Sequence, residues 1–443
     1  MAADPAIAGR TSRDIADSVE SAIERGELAP AQPLPSVRGL AARLGVSPST
    51  VSAAYRDLRL RGIVTSEAGR ATRVGVRRAP QARHYGSVPV GVRDLSDGNP
   101  APDLLPDVGV ALAAMRVPRF RYGAPTVLPE LAAVADEQFG DLPAALRSSA
   151  GPVVVVGGAM DGVERVLGSR ARPNDRVAVE DPGYPGVLEL VRAMGMVPVG
   201  VAVDEAGPVP ASLAAALESK VAAFVVTPRA QNPTGAAVDA VRARELRRVL
   251  DRHPDVLLVE DDHASIAAGA PYVSLSPGRN AWAVVRTTSK ILGPDLRVGF
   301  LLADARTSRR VAERQLVGAG WVSHVLQRLV VELWNDDGVR AAVRSAAQTY
   351  RQRREALLAA LAERGIAGHG RSGLNVCIPV AHEVAVVQRL QERGWAVRAG
   401  EPHRIHSEPF IRITASTLTA DEAGRLAADL GAVLAPSRLT QLA

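Results

Sequence analysis

Apolar residues recur at helical spacing over the first sixty positions, lose any period between 76 and 93, and return as short unbroken runs separated by Ala-, Leu- and Arg-rich stretches. Ile15, Val19 and Ile23 lie one turn apart, and Gly26 can end the helix they mark. Residues 34–45 read as a second helix, with Ser36 as N-cap, Leu40 and Leu44 on the buried face and Gly45 at the turn. Val46-Ser47-Pro48 opens a third helix: Ser47 caps it, Pro48 takes the first position, where a missing N–H is tolerated, and Val51, Tyr55 and Leu58 point inward. Residues 63–74 then read as two short strands about Gly69.

From about residue 94 the pattern predicts strands at 153–156, 177–179, 223–226, 256–259 and 283–285. Buried strands of this kind, divided by helices, predict an α/β domain with a mainly parallel sheet covered on both faces. The stretch 76–93, rich in Pro, Gly and Arg, predicts a solvated linker between an N-terminal domain (10–75) and a large domain (94–443).

Composition sharpens this picture in three places. No apolar run approaches membrane-spanning length, and the opening residues lack the charged-then-apolar layout of a leader. A single cysteine, Cys377, rules out an internal disulfide and fits the reducing cytoplasm. The net charge is +6, but residues 28–80 alone carry nine arginines against Asp57 and Glu67. That concentration is an electrostatic footprint for nucleic acid, with a solvated helical surface as the plainer alternative.

A short helix, a glycine turn and a helix starting with Ser and Thr form a helix-turn-helix, whose second helix presents its first residues to base edges in the major groove. Ser47, Ser49, Thr50 and Ser52 are the candidate readers. Arg38 and Arg56 are candidate DNA contacts, or else surface charges and helix-pairing partners, and a wing bearing Gly69, Arg70 and Arg73 can reach phosphate or the minor groove.

In the large domain the chemistry starts from lysine. Of 53 basic residues only Lys220 and Lys290 are lysines. A guanidinium that stays protonated cannot condense with an aldehyde, whereas a lysine amine can, which is how pyridoxal phosphate is held as a Schiff base. Lys220 suits a helix end, so Lys290 is the candidate. Gly157-Gly158-Ala159 after a strand offers bare N–H groups to an anion, or makes a plain turn. Tyr184, a rare aromatic past a strand end, can stack on a flat ring or belong to the core. Asn232, before Pro-Thr-Gly, can offer an amide to a phenolic oxygen or belong to a plain proline turn, and Asp261 can keep a pyridine nitrogen protonated or, with Asp262, simply cap a strand end. Arg297 can meet a phosphate, and Arg412 can clamp a carboxylate or form a structural ion pair.

Residues 12–75 resemble the GntR family of winged-helix repressors through Leu34-Pro-Ser-Val-Arg38-Gly-Leu-Ala and Gly45-Val-Ser-Pro-Ser-Thr-Val51, with Ala71-Thr72 where that family usually has Gly-Thr. Residues 95–434 resemble fold-type I, class I/II aminotransferases. That resemblance implies a smaller C-terminal α+β subdomain and pyridoxal 5'-phosphate as cofactor. It assigns the Schiff base to Lys290, the ring nitrogen to Asp261, stacking to Tyr184 and the ring hydroxyl to Asn232. Phosphate falls to Gly158, Ala159, Thr287, Ser289 and Arg297, and substrate carboxylate to Arg412; no metal ligands are assigned. Tyr122-Gly-Ala-Pro loosely resembles a segment at the substrate entrance. His263 stands where the family generally has a tyrosine that bonds the ring hydroxyl, and is expected to titrate near neutrality.

The two resemblances together are similar to the MocR subfamily of pyridoxal-phosphate-dependent transcription regulators. They imply a head-to-tail homodimer on double-stranded operator DNA, with pyridoxal phosphate or an amino compound as effector. An active aminotransferase carrying a DNA-binding domain, and a cofactor-free repressor using the fold as a dimerisation scaffold, are the other readings of the same residues.

Overall fold

The computed structural model describes residues 7–60, 63–65, 71–75 and 88–435, which form two compact units. In the N-terminal unit, α1 (Ser12–Glu24) opens on a capping box in which Thr11 and Asp14 satisfy each other's backbone N–H groups. It ends with Gly26 in the left-handed region at φ 74°. The second helix, α2 (Val37–Leu44), starts directly after the cap the sequence predicts. Ser36 is its cap, accepting from Gly39 N–H at 3.1 Å, and Gly45 closes it at φ 66°. Helix α3 (Pro48–Leu60) follows, and Ser47 Oγ accepts from Thr50 N–H at 3.2 Å.

Ile15, Val19, Leu40, Val51, Tyr55 and Leu58 meet in one core, with Ile23 and Leu44 at its margin. Tyr55 buries its ring and donates its hydroxyl to the Pro35 carbonyl at 2.9 Å, which fixes the entry to α2 against α3. The two wing strands, β1 (Val64–Thr65) and β2 (Arg73–Val74), pair antiparallel, Val64 opposite Val74. Gly69 and Arg70, expected at the wing tip, lie outside the described residues.

The large unit is built on an eight-stranded sheet. Its strands are β3 (Val154–Val156), β4 (Arg176–Asp181), β5 (Val197–Asp204), β6 (Gly207–Pro208), β7 (Val221–Val226), β8 (Leu257–Asp262), β9 (Trp282–Thr287) and β10 (Gly299–Ala303). Their order is β3-β10-β9-β8-β7-β4-β5-β6. The pairs β4–β7, β7–β8 and β8–β9 are parallel, as expected. The sheet is mainly parallel, with β10 as an exception that runs antiparallel to both β9 and β3. The reason lies in the connection: residues 288–298 are too few for a crossover helix, so the chain turns straight back beside β9. Lys290 and Arg297 both sit in that turn.

Register puts Phe224, Leu258, Trp282, Val284 and Phe300 on one face, in a core shared with Leu131, Leu246 and Val330 from covering helices. On the other face α4 (Ala159–Arg170) approaches so closely that a Cβ on Gly162 would lie 2.7 Å from Val285. The smaller C-terminal part is an antiparallel sheet of β11 (Asn375–Pro379), β12 (Arg398–Ala399) and β13 (Phe410–Thr414), with β13 central. Helices α5 (Asp337–Ala362) and α6 (Ala420–Leu434) cover it through Leu357, Leu361, Leu426 and Leu430. Arg93, assigned from sequence to the linker, is already part of this fold. It pairs with Trp395 in a two-stranded ladder and sends its guanidinium to Glu422 at 3.0 Å. No helix among the described residues is long and apolar enough to cross a membrane.

Candidate functional site

The carboxyl ends of β4, β7, β8 and β9 bring the predicted chemistry together, as expected for ligands on an α/β sheet. Lys290 leaves the β9–β10 turn and donates its Nζ to the Gly98 carbonyl at 2.8 Å. Gly98, at φ 70°, also lies against Arg412: a Cβ there would be 3.4 Å from the guanidinium. Arg412 is buried on β13 and donates to Asn232 Oδ1 at 3.2 Å and to the Ser96 carbonyl. Lys290 and Arg412 are therefore joined through one short segment, 96–98, and Asn232 joins them through Arg412. Asn232 and Ser96 are neutral acceptors, and a guanidinium with five donors can take a carboxylate alongside them.

Strand alternation separates the two aspartates that end β8. Asp262 faces the arginines: Arg229 grips it with two bonds of 2.8 Å, and Arg286 approaches it at 2.8 Å while also meeting Asp141 at 2.9 Å. Although burial opposes it, this pairing holds Asp262 down at a pKa of about 2. Asp261 faces the other way, buried, with Oδ1 lacking a hydrogen-bond partner among the described residues. Burial, and then the neighbouring Asp262 charge, push it up to about 7. A buried carboxylate with an unused acceptor, on the same face of the sheet as α4, fits a cationic ring N–H of a pyridinium.

His263 corrects its expectation. It lies 3.9 Å from Asp261, and burial followed by the charge of Lys290 lowers it to about 4. The imidazole is therefore neutral at physiological pH, and does not titrate near 7.

The candidate anion cradle is formed where β3 passes into α4. Gly158 caps the helix at φ 97°, and a Cβ there would lie 2.9 Å from the Arg297 guanidinium, which donates to the Gly157 carbonyl. Ala159 starts the helix, so its N–H has no partner within the helix. Thr287 ends β9 and Ser289 lies in the turn after it: Thr287 Oγ1 donates to the Val298 carbonyl at 3.2 Å and accepts from Ser289 N–H at 3.3 Å. Tyr184, half-buried, begins the helix after β4, with its ring over Gly186. Tyr122 is highly exposed and contacts Trp321 edge-on at a centroid distance of 5.7 Å.

Four supporting residues escaped sequence reasoning. Ser96 and Gly98 act through backbone carbonyls that no motif marks. His403 is buried and bonded to the Gly183 carbonyl at 3.0 Å, beside Tyr184, and burial followed by Arg412 holds it well below its usual range. Asp181 accepts the N–H groups of Ile405, His406 and Ser407, tying the approach to β13 against β4.

On the N-terminal unit, Ser47, Ser49 and Thr50 form an exposed hydroxyl cluster at the start of α3, with Oγ separations of 2.7 and 2.8 Å from Ser47. Ser52, Arg38 and Arg56 are exposed on the same helix pair. Arg73 is exposed and donates to the Ala31 carbonyl at 2.9 Å, so part of its guanidinium anchors the wing.

A helix-turn-helix with a wing and a sheet-based lysine–aspartate–arginine site define the class: a two-domain regulator with an aminotransferase-like fold. The family profile "Bacterial regulatory proteins, gntR family" matches residues 11–74, and "Aminotransferase class I and II" matches 90–430. The vitamin B6 salvage pathway transcriptional repressor PtsJ of Salmonella typhimurium is 36% identical, over 96% of this chain and 98% of that protein. The pyridoxine biosynthesis transcriptional regulator PdxR of Corynebacterium glutamicum is 27% identical over 77% and 76%. Among solved structures, the Thermus thermophilus alpha-aminoadipate aminotransferase LysN, complexed with N-(5'-phosphopyridoxyl)-L-leucine, shares the fold with a TM-score of 0.68 at 21% identity, covering 80% of this chain and 96% of that one. The chain belongs to the aminotransferase class I and II family, within the MocR subfamily of gntR-family transcription regulators.

Proposed function

We propose that the protein is a cytoplasmic transcription regulator that senses pyridoxal phosphate, or an amino compound reacting with it, through Lys290, and binds operator DNA as a head-to-tail homodimer. The observation that carries this is the buried, unused acceptor of Asp261 in the same site as the Lys290–Gly98–Arg412 chain of contacts, in a chain that opens on a DNA-reading unit. When bound, pyridoxal phosphate supplies an aldehyde that condenses reversibly with a primary amine.

The chain's own groups have defined tasks in this reading. Lys290 presents the amine, and Asp261 accepts a ring N–H and takes up charge in doing so. Asn232 offers its amide to the ring hydroxyl while its carbonyl oxygen steadies Arg412, and neutral His263 stands beside Lys290 without adding charge. Gly158, Ala159, Thr287, Ser289 and Arg297 receive the phosphate; Tyr184 covers the ring. Arg412 orients the carboxylate of an amino-compound effector. Arg38, Arg56 and the α3 start (Ser47, Ser49, Thr50, Ser52), with the wing, engage DNA. An effector that binds two dimer arrangements unequally shifts operator affinity by that difference.

Relatives named as repressor and regulator support sensing over turnover. The test is operator binding by the full chain with and without added pyridoxal phosphate, repeated with Lys290→Ala. A cofactor-dependent change in affinity that the variant lacks is expected. Identical responses of wild type and variant, or rapid multiple turnovers with amino donors and 2-oxo acids, would overturn it.

A further inference from the structure

The anion cradle contains a negative charge of its own. Asp161, in the first turn of α4, points back past the helix start so that Oδ2 accepts the Gly157 N–H at 2.7 Å. The same oxygen takes Arg165 Nε at 2.8 Å, one turn further along. Gly157 is thus held at both ends by opposite charges, its N–H by Asp161 and its carbonyl by Arg297. For helix stability this is favourable, because a carboxylate complements the positive end of the dipole. For a phosphate monoester the same carboxylate is unfavourable. It cancels part of that positive potential, uses a neighbouring N–H, and repels an incoming dianion. Arg165 offsets part of the repulsion from a side chain only about one-fifth exposed.

We propose that Asp161 is an affinity-limiting residue of the phosphate cradle, which keeps capture of a phosphate-bearing ligand reversible, and that Arg165 sets how strongly it does so. This rests on the reading of the site above, since it names the group that tunes that site for sensing. A regulator must release its signal when the signal becomes scarce. A cradle with full positive potential would retain a phosphorylated ligand over a much wider concentration range.

The experiment compares the full chain with Asp161→Asn, Asp161→Glu and Arg165→Gln. Three probes are titrated: pyridoxal phosphate, pyridoxal and inorganic phosphate. The aldehydes are followed by visible absorbance and phosphate by thermal protection. Asn keeps an acceptor for the Gly157 N–H and removes the charge, so Asp161→Asn should bind pyridoxal phosphate roughly three- to tenfold more tightly, the scale of a charge at a helix start acting on a dianion. Pyridoxal binding should be unchanged, and phosphate should protect at lower concentration. Asp161→Glu should stay near wild type, and Arg165→Gln should weaken both phosphate-bearing probes.

The difference between wild type and Asp161→Asn should also shrink as salt is raised. Unchanged or weaker phosphate binding in Asp161→Asn would overturn the proposal, as would an equal shift with pyridoxal. If neither aldehyde gave a visible band even with wild type, the lysine reading would fail. The inorganic phosphate comparison would then still decide the role of Asp161.

Discussion

Replacing Asp261 by Asn should change how stability depends on pH, and the structure gives the size of the effect. Burial, followed by the charge of Asp262, raises the Asp261 pKa from 3.8 to about 7. About three pH units at ~1.4 kcal/mol each place the cost of ionising this carboxyl inside the protein near 4 kcal/mol. In the unfolded chain Asp261 loses its proton near pH 3.8, whereas in the folded chain it keeps the proton until about 7. Between those limits the folded state binds the extra proton, so wild-type stability falls as pH rises, and it is constant with respect to this group outside them. The substituted amide cannot ionise and lacks that loss. Urea unfolding of the large domain, measured from pH 4 to 8 without ligand, should show the variant gaining on wild type by up to ~4 kcal/mol across the window, then running parallel to it. The readout is the slope of the difference, because a fixed offset from the new amide's hydrogen bonding leaves the slope untouched. The same variant should bind pyridoxal phosphate more weakly, having no charge to offer a ring N–H. A pH-independent difference would refute the assignment of Asp261 as a buried carboxyl held above its usual range.

Arg38→Ala should weaken operator binding and lower the salt dependence of log K by about one; an unchanged slope in a salt series would remove the phosphate contact. Gly158→Ala should cost most of the phosphate affinity in a pyridoxal phosphate titration, because φ 97° is strained for alanine and its Cβ would press on Arg297. Asp262→Ala leaves Arg229 and Arg286 buried without their shared carboxylate, and should destabilise the large domain by about 3–5 kcal/mol in urea unfolding.

Those residues also mark where sequence reasoning worked and where it stopped. Lys290, Asp261 and Asn232 stood out because each carries unusual chemistry next to a recognisable strand, and the fold gathers such strand ends on one edge of the large sheet, while Arg412 comes from the middle of β13 in the smaller one. The helix-turn-helix was legible from caps and spacing alone, since Ser36, Gly45 and Ser47 act locally. The segment 96–98 was not legible. It supplies backbone carbonyls to side chains about 190 and 316 residues away, and a carbonyl leaves no trace in residue type. The direction of β10 escaped for a related reason, as an apolar run states burial but not orientation, and only the short loop carrying Lys290 decides it. Adjacent aspartates 261 and 262 look alike in sequence. They acquire opposite character because alternation along β8 turns one towards two arginines and the other away from them. The neutrality of His263 likewise depends on burial beside Lys290, which spacing does not reveal.

The account depends most on a covalent bond between pyridoxal phosphate and one lysine. Incubation of the full chain with pyridoxal phosphate, borohydride reduction, proteolysis and mass analysis tests it directly. A single reduced phosphopyridoxyl adduct on Lys290, with Lys220 unmodified, is the predicted result. Absence of an adduct at Lys290, or equal labelling of both lysines, would contradict it.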